Sequence, residues 1–309
     1  MNRRSDPEII EQIQQLKKNH QAVILAHNYE PAEIQELADI TGDSLGLSVE
    51  AAGLDHPVIV FCGVRFMAES AAILAPDRKV LLPRLECGCG LADMAEAAAL
   101  KKMRAQHPEA VVVTYVNSSA EVKAESDICC TSGNAVNVIK SIPLQQEIIF
   151  VPDRNLGAYV IEQTGRPMLL WDGACPIHDA LRAADIEKAR IAHPEALVMV
   201  HPECRPEVRH PADAVLSTGG MMDFVGGTSA DSFIVATEEG MLYPLRQAYP
   251  NKTFYPVSPG NMICADMKMI TPADILQTLK SLEPVITVAE NIANRARLAL
   301  ERMLAIPRH

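Results

Sequence analysis

No stretch of this chain stays apolar for the length of a membrane-spanning helix, so a helical membrane protein is excluded. The opening residues, MNRRSDPEII, lack the apolar run of a secretory signal, and the expected location is the cytoplasm. Positive charge is in the minority: 28 Lys and Arg stand against 39 Asp and Glu, for a net charge of -11. A nucleic-acid surface needs clustered Lys and Arg, so nucleic acid is not expected as a partner, and the acidic balance serves solubility. No two cysteines have the C-x-x-C spacing of a structural zinc site, and no low-complexity linker interrupts the chain.

What is present is repetition. Cys89, Cys175 and Cys264 follow one another at nearly equal intervals. Tyr115 lies as far past Cys89 as His201 lies past Cys175. A second, shorter step is shared by all three units: it joins His27 to Ser44, Tyr115 to Ser132 and His201 to Thr218. The apolar strings before the three markers also match: AVILA, AVVVT and ALVMV. One α/β unit used three times explains this, with equivalent polar groups brought to one point about a pseudo-threefold axis. The cysteine-to-marker step, counted back from His27, finds no cysteine, which predicts a circular arrangement with Cys264 completing the first unit. The expected division is 1–86 completed by 265–309, then 87–172, then 173–264.

At 309 residues two or three small domains are expected. Short, non-alternating apolar runs predict parallel strands covered on both faces. In the first unit these are AVILA, VIVF and KVLL, separated by helices EIQELADIT and FMAESAAILA. The second has helix LADMAEAAALKKMRA, strand AVVVTY, then EIIFV and MLLW. The third has helix HDALRAADIEKARIA, strand ALVMVH, then FIVA and TFYPV. Alternating strands and helices give the fold class, α/β, as three α/β/α units with short parallel sheets and a central active site. Thr271-Pro272 predicts a helix start, and Thr287 to Glu290 has capping-box form before a final helix.

Ligands of open α/β sheets bind beyond the carboxyl ends of strands, where His27, Tyr115 and His201 stand. Tyr29, Asn117 and Glu203 follow two residues later, on the same side of an extended chain. Ser44, Ser132 and Thr218 sit where loops feed helices, a setting suited to carboxylate or phosphate. One such hydroxyl alone is ordinarily an N-cap, and one such His a structural hydrogen-bonder; the threefold coincidence points to a shared ligand site. In a reducing compartment eight cysteines are thiols or metal ligands rather than disulfides. Cys62, Cys129, Cys130 and Cys204 read as small buried hydrophobes; so does Cys87, although it is near enough to Cys89 to compete as a ligand. Cys89, Cys175 and Cys264 each follow a strand and a glycine-containing turn. Three thiolates about an axis suit a [4Fe–4S] cluster with one iron free to act as a Lewis acid.

ILAHNYE, GDSLGLS, FCGVRFMAESAAIL, GCGLADM, TYVNSSAEVKAESDICCTSGNAV, IFVPDRNLG, HPEC and TEEGM together resemble the quinolinate synthases, the A proteins of de novo NAD biosynthesis. The resemblance covers nearly the whole chain. It implies a transferase that condenses iminosuccinate with dihydroxyacetone phosphate, losing phosphate and water to give quinolinate. It also implies three domains around a [4Fe–4S] cluster held by Cys89, Cys175 and Cys264. His27, Ser44, Tyr115, Val116, Asn117, Ser132, His201, Pro202, Glu203 and Thr218 match the iminosuccinate-binding positions. Tyr29 matches a tyrosine implicated in catalysis, and His201 and Glu203 join it as candidates for proton transfer. Where some members carry C-x-x-C-x-x-C, this chain has CADMKM, which leaves Cys264 as the ligand there and no partner for a disulfide switch. An L-aspartate oxidase that hands over the unstable imine is a candidate transient partner. Two other classes stay open on the residues alone: an iron–sulfur hydro-lyase and a non-catalytic iron–sulfur sensor.

Overall fold

The structure, a computed structural model, describes residues 6–306. Its strands form three separate four-stranded parallel sheets. The first holds β1 (Ala22–His27), β2 (Ile40–Gly42), β3 (Val58–Cys62) and β4 (Lys79–Leu81) in the order β2-β1-β3-β4. The second holds β5 (Val111–Tyr115), β6 (Ile128–Cys130), β7 (Ile148–Val151) and β8 (Leu169–Leu170) in the order β6-β5-β7-β8. The third repeats the pattern with β9 (Leu197–Val200), β10 (Ala214–Val215), β11 (Ser232–Ala236) and β12 (Thr253–Pro256), ordered β10-β9-β11-β12. Helices flank each sheet, and β1, β3 and β7 are buried along their whole length, as continuous apolar runs require. Each sheet reverses direction of growth between its first and third strands, the switch point at which open α/β sheets bind ligands.

The second strand of each sheet is an addition to what the pattern predicts. β2 takes the end of EIQELADIT, whose helix is limited to Ala32–Leu37. An aspartate introduces each of these edge strands. Asp39, Asp127 and Asp213 accept the backbone N–H of Ile24, Val112 and Val198 at 2.8, 2.8 and 2.7 Å. Their other contacts are equally repetitive: Lys17 at 2.6 Å, Arg104 at 2.8 Å and Arg190 at 2.9 Å.

Two expected long helices are broken. LADMAEAAALKKMRA divides into a 3-10 turn Ala92–Met94 and a helix Ala97–Gln106; HDALRAADIEKARIA divides into Pro176–Ala180 and Ala183–Ala192. The Thr271 capping box forms, with the Asp274 carboxylate accepting the Thr271 N–H at 2.9 Å and the Thr271 hydroxyl accepting the Asp274 N–H at 3.3 Å. The box expected at Thr287 does not, because Ala289 caps Glu290–Leu304 without a side-chain bond.

The chain's end lies against its first half. Helix Pro272–Ser281 packs on helix Pro7–His20, while Glu290–Leu304 lies across Ala120–Ala124, β6 and Arg65–Leu74. One apolar core therefore runs from Ile13 and Leu25 through Val113 and Phe150 to Leu279 and Leu300. The third sheet buries its two faces in cores of its own, around Val198 and around Phe233. Among the described residues no helix is long and apolar enough to cross a membrane.

Candidate active site

The carboxyl ends of the three sheets face one cavity of about 260 Å³. Of the residues expected at a shared site, His27, Tyr29, Ser44, Tyr115, Asn117, Ser132, His201, Glu203 and Thr218 line it, together with Cys89, Cys175 and Cys264. Val116 and Pro202 do not. Both are buried behind the wall, and Val116 joins the apolar core between its two cavity-lining neighbours. Cys62, Cys87, Cys129, Cys130 and Cys204 are buried away from the cavity. Among the described residues no Lys or Arg lines the cavity.

The hydroxyls are not spent on capping. At the head of helix Ser44–Gly53 the cap is Asp43, which accepts from Gly46 N–H at 2.8 Å; at Thr218–Gly227 it is Ser217, accepting from Gly220 N–H at 3.1 Å. In the second unit Asn134 Oδ1 accepts the Thr131 N–H at 2.8 Å and Thr131 Oγ1 the Gly133 N–H at 3.2 Å, so Ser132 is spared. The sequence places each marker hydroxyl beside a better capping group, which leaves it for a ligand.

His27 and His201 adopt the same local structure. Each ring accepts, on Nδ1, the backbone N–H two residues on: Tyr29 at 3.1 Å and Glu203 at 3.3 Å. The proton is thereby assigned to Nε2 in both. Burial lowers their pKa values to about 3; at His27 the Lys268 charge lowers it further, while Glu203 opposes the shift at both rings. At neutral pH both are uncharged donors. The 3.8 Å approach of His201 Nδ1 to Glu203 is accordingly not an ion pair, because Nδ1 carries no proton.

Two residues that sequence patterns did not single out complete the centre. Tyr29 O–H meets Thr237 Oγ1 at 2.6 Å, and Thr237 Oγ1 meets His178 Nε2 at 2.8 Å. His178 Nδ1 reaches Glu203 Oε2 at 2.7 Å and lies 3.2 Å from Cys175 Sγ. Glu203 Oε1 accepts the Tyr115 O–H at 2.5 Å. With a carboxylate as acceptor, His178 carries its proton on Nδ1, so Nε2 accepts from Thr237 and Thr237 accepts from Tyr29. The result is one directed chain from Tyr29 through Thr237 and His178 to Glu203, closed on the far side by Tyr115.

Burial alone would raise the Glu203 carboxyl, but His178 and the Tyr115 hydrogen bond outweigh it and hold it at about 2. Burial and then the Glu203 charge push both Tyr29 and Tyr115 well above the ordinary phenol range. The centre thus contains one fixed anion, two phenols that keep their protons, the neutral imidazoles of His27 and His201, and the bridging His178 ring. Asn117 adds an acceptor, since its buried Oδ1 has no hydrogen-bond partner among the described residues.

The cysteines are set by a bond repeated in every unit. The backbone N–H groups of Arg65, Arg154 and Glu239, just past β3, β7 and β11, each donate at 2.8 Å to the carbonyl two residues before a cysteine: Cys87, Gly173 and Met262. Each cysteine loop is therefore fastened to the sheet that precedes it. Counted forward instead, Cys89 follows His27 at nearly the interval by which Cys175 follows Tyr115 and Cys264 follows His201.

The donor set can hold a metal. Cys175, His178 and Glu203 gather donor atoms within 4.8 Å of one another, and the thiols of Cys89 and Cys264 line the same cavity. Burial raises all three thiols, Cys89 to about 12, so without a cation they stay protonated.

Known proteins match this chain almost from end to end. A sequence model of the family described as Quinolinate synthetase A protein matches residues 11–305. A quinolinate synthase of Pelobacter propionicus is 52% identical over 301 residues, covering 97% of this chain and 98% of that protein. One from Geotalea uraniireducens is 53% identical over 301 residues with the same coverage. Another, from Methanosarcina barkeri, is 49% identical over 299 residues, again 97% and 98% of the two chains.

Proposed function

The chain belongs to the quinolinate synthetase A protein family, and from that premise we infer a quinolinate synthase of NAD biosynthesis that condenses iminosuccinate with dihydroxyacetone phosphate. Phosphate and water leave as the three-carbon group passes to the imine, and that group transfer makes the enzyme a transferase. The observation that carries this reading is the meeting of three cysteines and a directed proton relay in one cavity.

Cys89, Cys175 and Cys264 would hold a [4Fe–4S] cluster. Bound there, it supplies a Lewis acid at the iron without a cysteine. The residues do the rest. A dicarboxylate is held by uncharged donors: the Nε2–H groups of His27 and His201, the hydroxyls of Ser44, Ser132 and Thr218, and the Asn117 amide. The unpartnered Asn117 Oδ1 suits an imine or enamine N–H. Val116 and Pro202 act through the backbone, by aiming the residues beside them.

Tyr29 is the proton-transfer group in this reading. Its phenol keeps its proton at neutral pH; as it takes a proton from substrate, its own passes to Thr237 and that of Thr237 passes to His178 Nε2. Glu203 is the anion that steadies the imidazolium so formed, rather than a group that trades protons itself. The imine is delivered by an L-aspartate oxidase.

Anaerobically purified protein given iminosuccinate and the triose phosphate should form quinolinate and carry about four iron atoms per chain, the content of the proposed cluster. Serine at Cys89, Cys175 or Cys264 should remove both iron and turnover; serine at Cys62 or Cys130 should remove neither. Water loss from a hydroxy acid without condensation would favour a hydro-lyase, and cluster binding without turnover would favour a sensor.

A further inference from the structure

Two of the three cysteine loops carry a second fastening. Glu238 stands two residues past β11, and its Oε1 accepts the Cys264 N–H at 3.1 Å. Asp153 stands two residues past β7, and its Oδ2 accepts the Cys175 N–H at 3.1 Å. The equivalent residue past β3 is Val64, which has no acceptor to offer. Cys89 has a substitute: its own carbonyl accepts the Asp93 N–H at 3.1 Å, which folds it into the turn that follows.

Glu238 is the more heavily committed of the two carboxylates. It is 1% exposed, and its Oε1 also meets Lys268 Nζ at 2.8 Å, while Oε2 accepts the Gly240 N–H at 2.7 Å. Lys268 donates as well to the Tyr29 carbonyl. Gly240 lies so close to that residue that a Cβ there would stand 2.6 Å from the Tyr29 carbonyl oxygen. One carboxylate thus ties the Cys264 amide, the β11 turn and, through Lys268, the backbone of Tyr29.

The loop is otherwise held through Glu239, whose backbone N–H donates to the Met262 carbonyl and whose Oε1 accepts the Gly260 N–H. Pro259, Gly260, Asn261 and Ile263 are exposed, and only Met262 turns fully inward. Neither of these Glu239 ties reaches Cys264 itself.

We propose that Glu238 is the positioning residue for Cys264, with Asp153 its counterpart at Cys175 and Lys268 the cation that keeps Glu238 in place. The pair deepens the reading of Cys264 as a cluster ligand: it presets the thiol most exposed to movement, and couples its setting to that of Tyr29. Both Glu238 oxygens are engaged, so it does not exchange protons with substrate.

The test measures alkylation of each cysteine by iodoacetamide in the cluster-free full-length chain, and release of iron to a chelator from the loaded one. Losing a hydrogen bond to a buried charge should speed alkylation of Cys264 about tenfold in Glu238→Ala, with Cys89 unchanged. Lys268→Met should give a smaller increase at the same cysteine, and Lys268→Arg should restore the native rate. Glu238→Gln, which keeps an acceptor, should fall between alanine and the native residue. Iron release should follow the same order. Native alkylation of Cys264 in a folded Glu238→Ala chain would overturn the proposal. Should that variant fail to fold, native rates in Lys268→Met would overturn it equally. Changed alkylation in a protein that binds no iron would leave the clamp standing and remove the cluster, so the two readings fail separately.

Discussion

Glu203 shows how much a single side chain's meaning depends on what holds it. A carboxylate beside an anionic substrate looks costly, and the sequence alone makes it a candidate acid–base group. In the fold both of its oxygens are taken, by Tyr115 at 2.5 Å and His178 at 2.7 Å, and the carboxyl sits near pKa 2. Ionised throughout the working range, it is suited to orient and to balance charge. Glu203→Gln cannot accept from both partners, because one carboxylate oxygen becomes an N–H donor. Turnover should fall about a hundredfold or more with iron content and the Michaelis constant for the imine little changed, as steady-state kinetics would measure. Turnover within a few-fold of native would remove Glu203 from the relay. Equal steps along the chain made His27, Tyr115, His201 and their hydroxyls legible, because each unit repeats them. His178 and Thr237 were not, since they meet far apart in sequence and only one unit contains the pair. TEEGM carried Thr237, Glu238 and Gly240 in plain sight, with nothing local to say that three different unit-to-unit contacts begin there.

Among elements, the long buried strands announced themselves and the short edge strands did not. β2, β6 and β10 have two or three residues, too few for any periodicity to register. A signal was nonetheless present. Asp39, Asp127 and Asp213 follow His27, Tyr115 and His201 at one identical step, and each side chain stitches its edge strand to the first. The cysteine loops are ambiguous in sequence for a related reason. Spacing to the next marker is as regular as spacing to the last, and the backbone bonds from Arg65, Arg154 and Glu239 join each loop to the sheet before it. Gly173 tests that join. A Cβ there would collide with the Pro152 carbonyl oxygen, a backbone atom that cannot rotate away. Gly173→Ala should therefore separate the Cys175 loop from the β7 turn and lower unfolding free energy by about 2 kcal/mol or more. A denaturation curve and iron per chain would register it, and native values for both would show that the loop is held by other means.

For the molecule as a whole, the three sheets are alike in topology but unlike in how they are supported. The first two share one core with both C-terminal helices, so neither can open without exposing the other. The third has its own two cores, and polar ties bind it to the rest: the buried Arg209 on Glu162 at 2.6 and 3.0 Å, Glu238 on Lys268 at 2.8 Å, and Asn155 on the Glu203 carbonyl at 3.1 Å. Apolar burial is the larger cooperative force, so the boundary of a cooperative unit should follow the cores rather than the repeat. Native-state hydrogen exchange should then find β1, β3, β5 and β7 opening together at the highest free energy, and β9 and β11 opening together below it. The cavity lies between these two blocks, with His27 and Tyr115 on one and His201, Glu203 and Thr237 on the other. A cluster bridging Cys89 and Cys175 to Cys264 would tie the blocks together, so loading iron should raise the β9 and β11 values toward the others while leaving β1 and β3 nearly unchanged. A single opening free energy in cluster-free protein would mean that the polar ties alone fuse the blocks, and the site's two halves would then be set before any metal arrives.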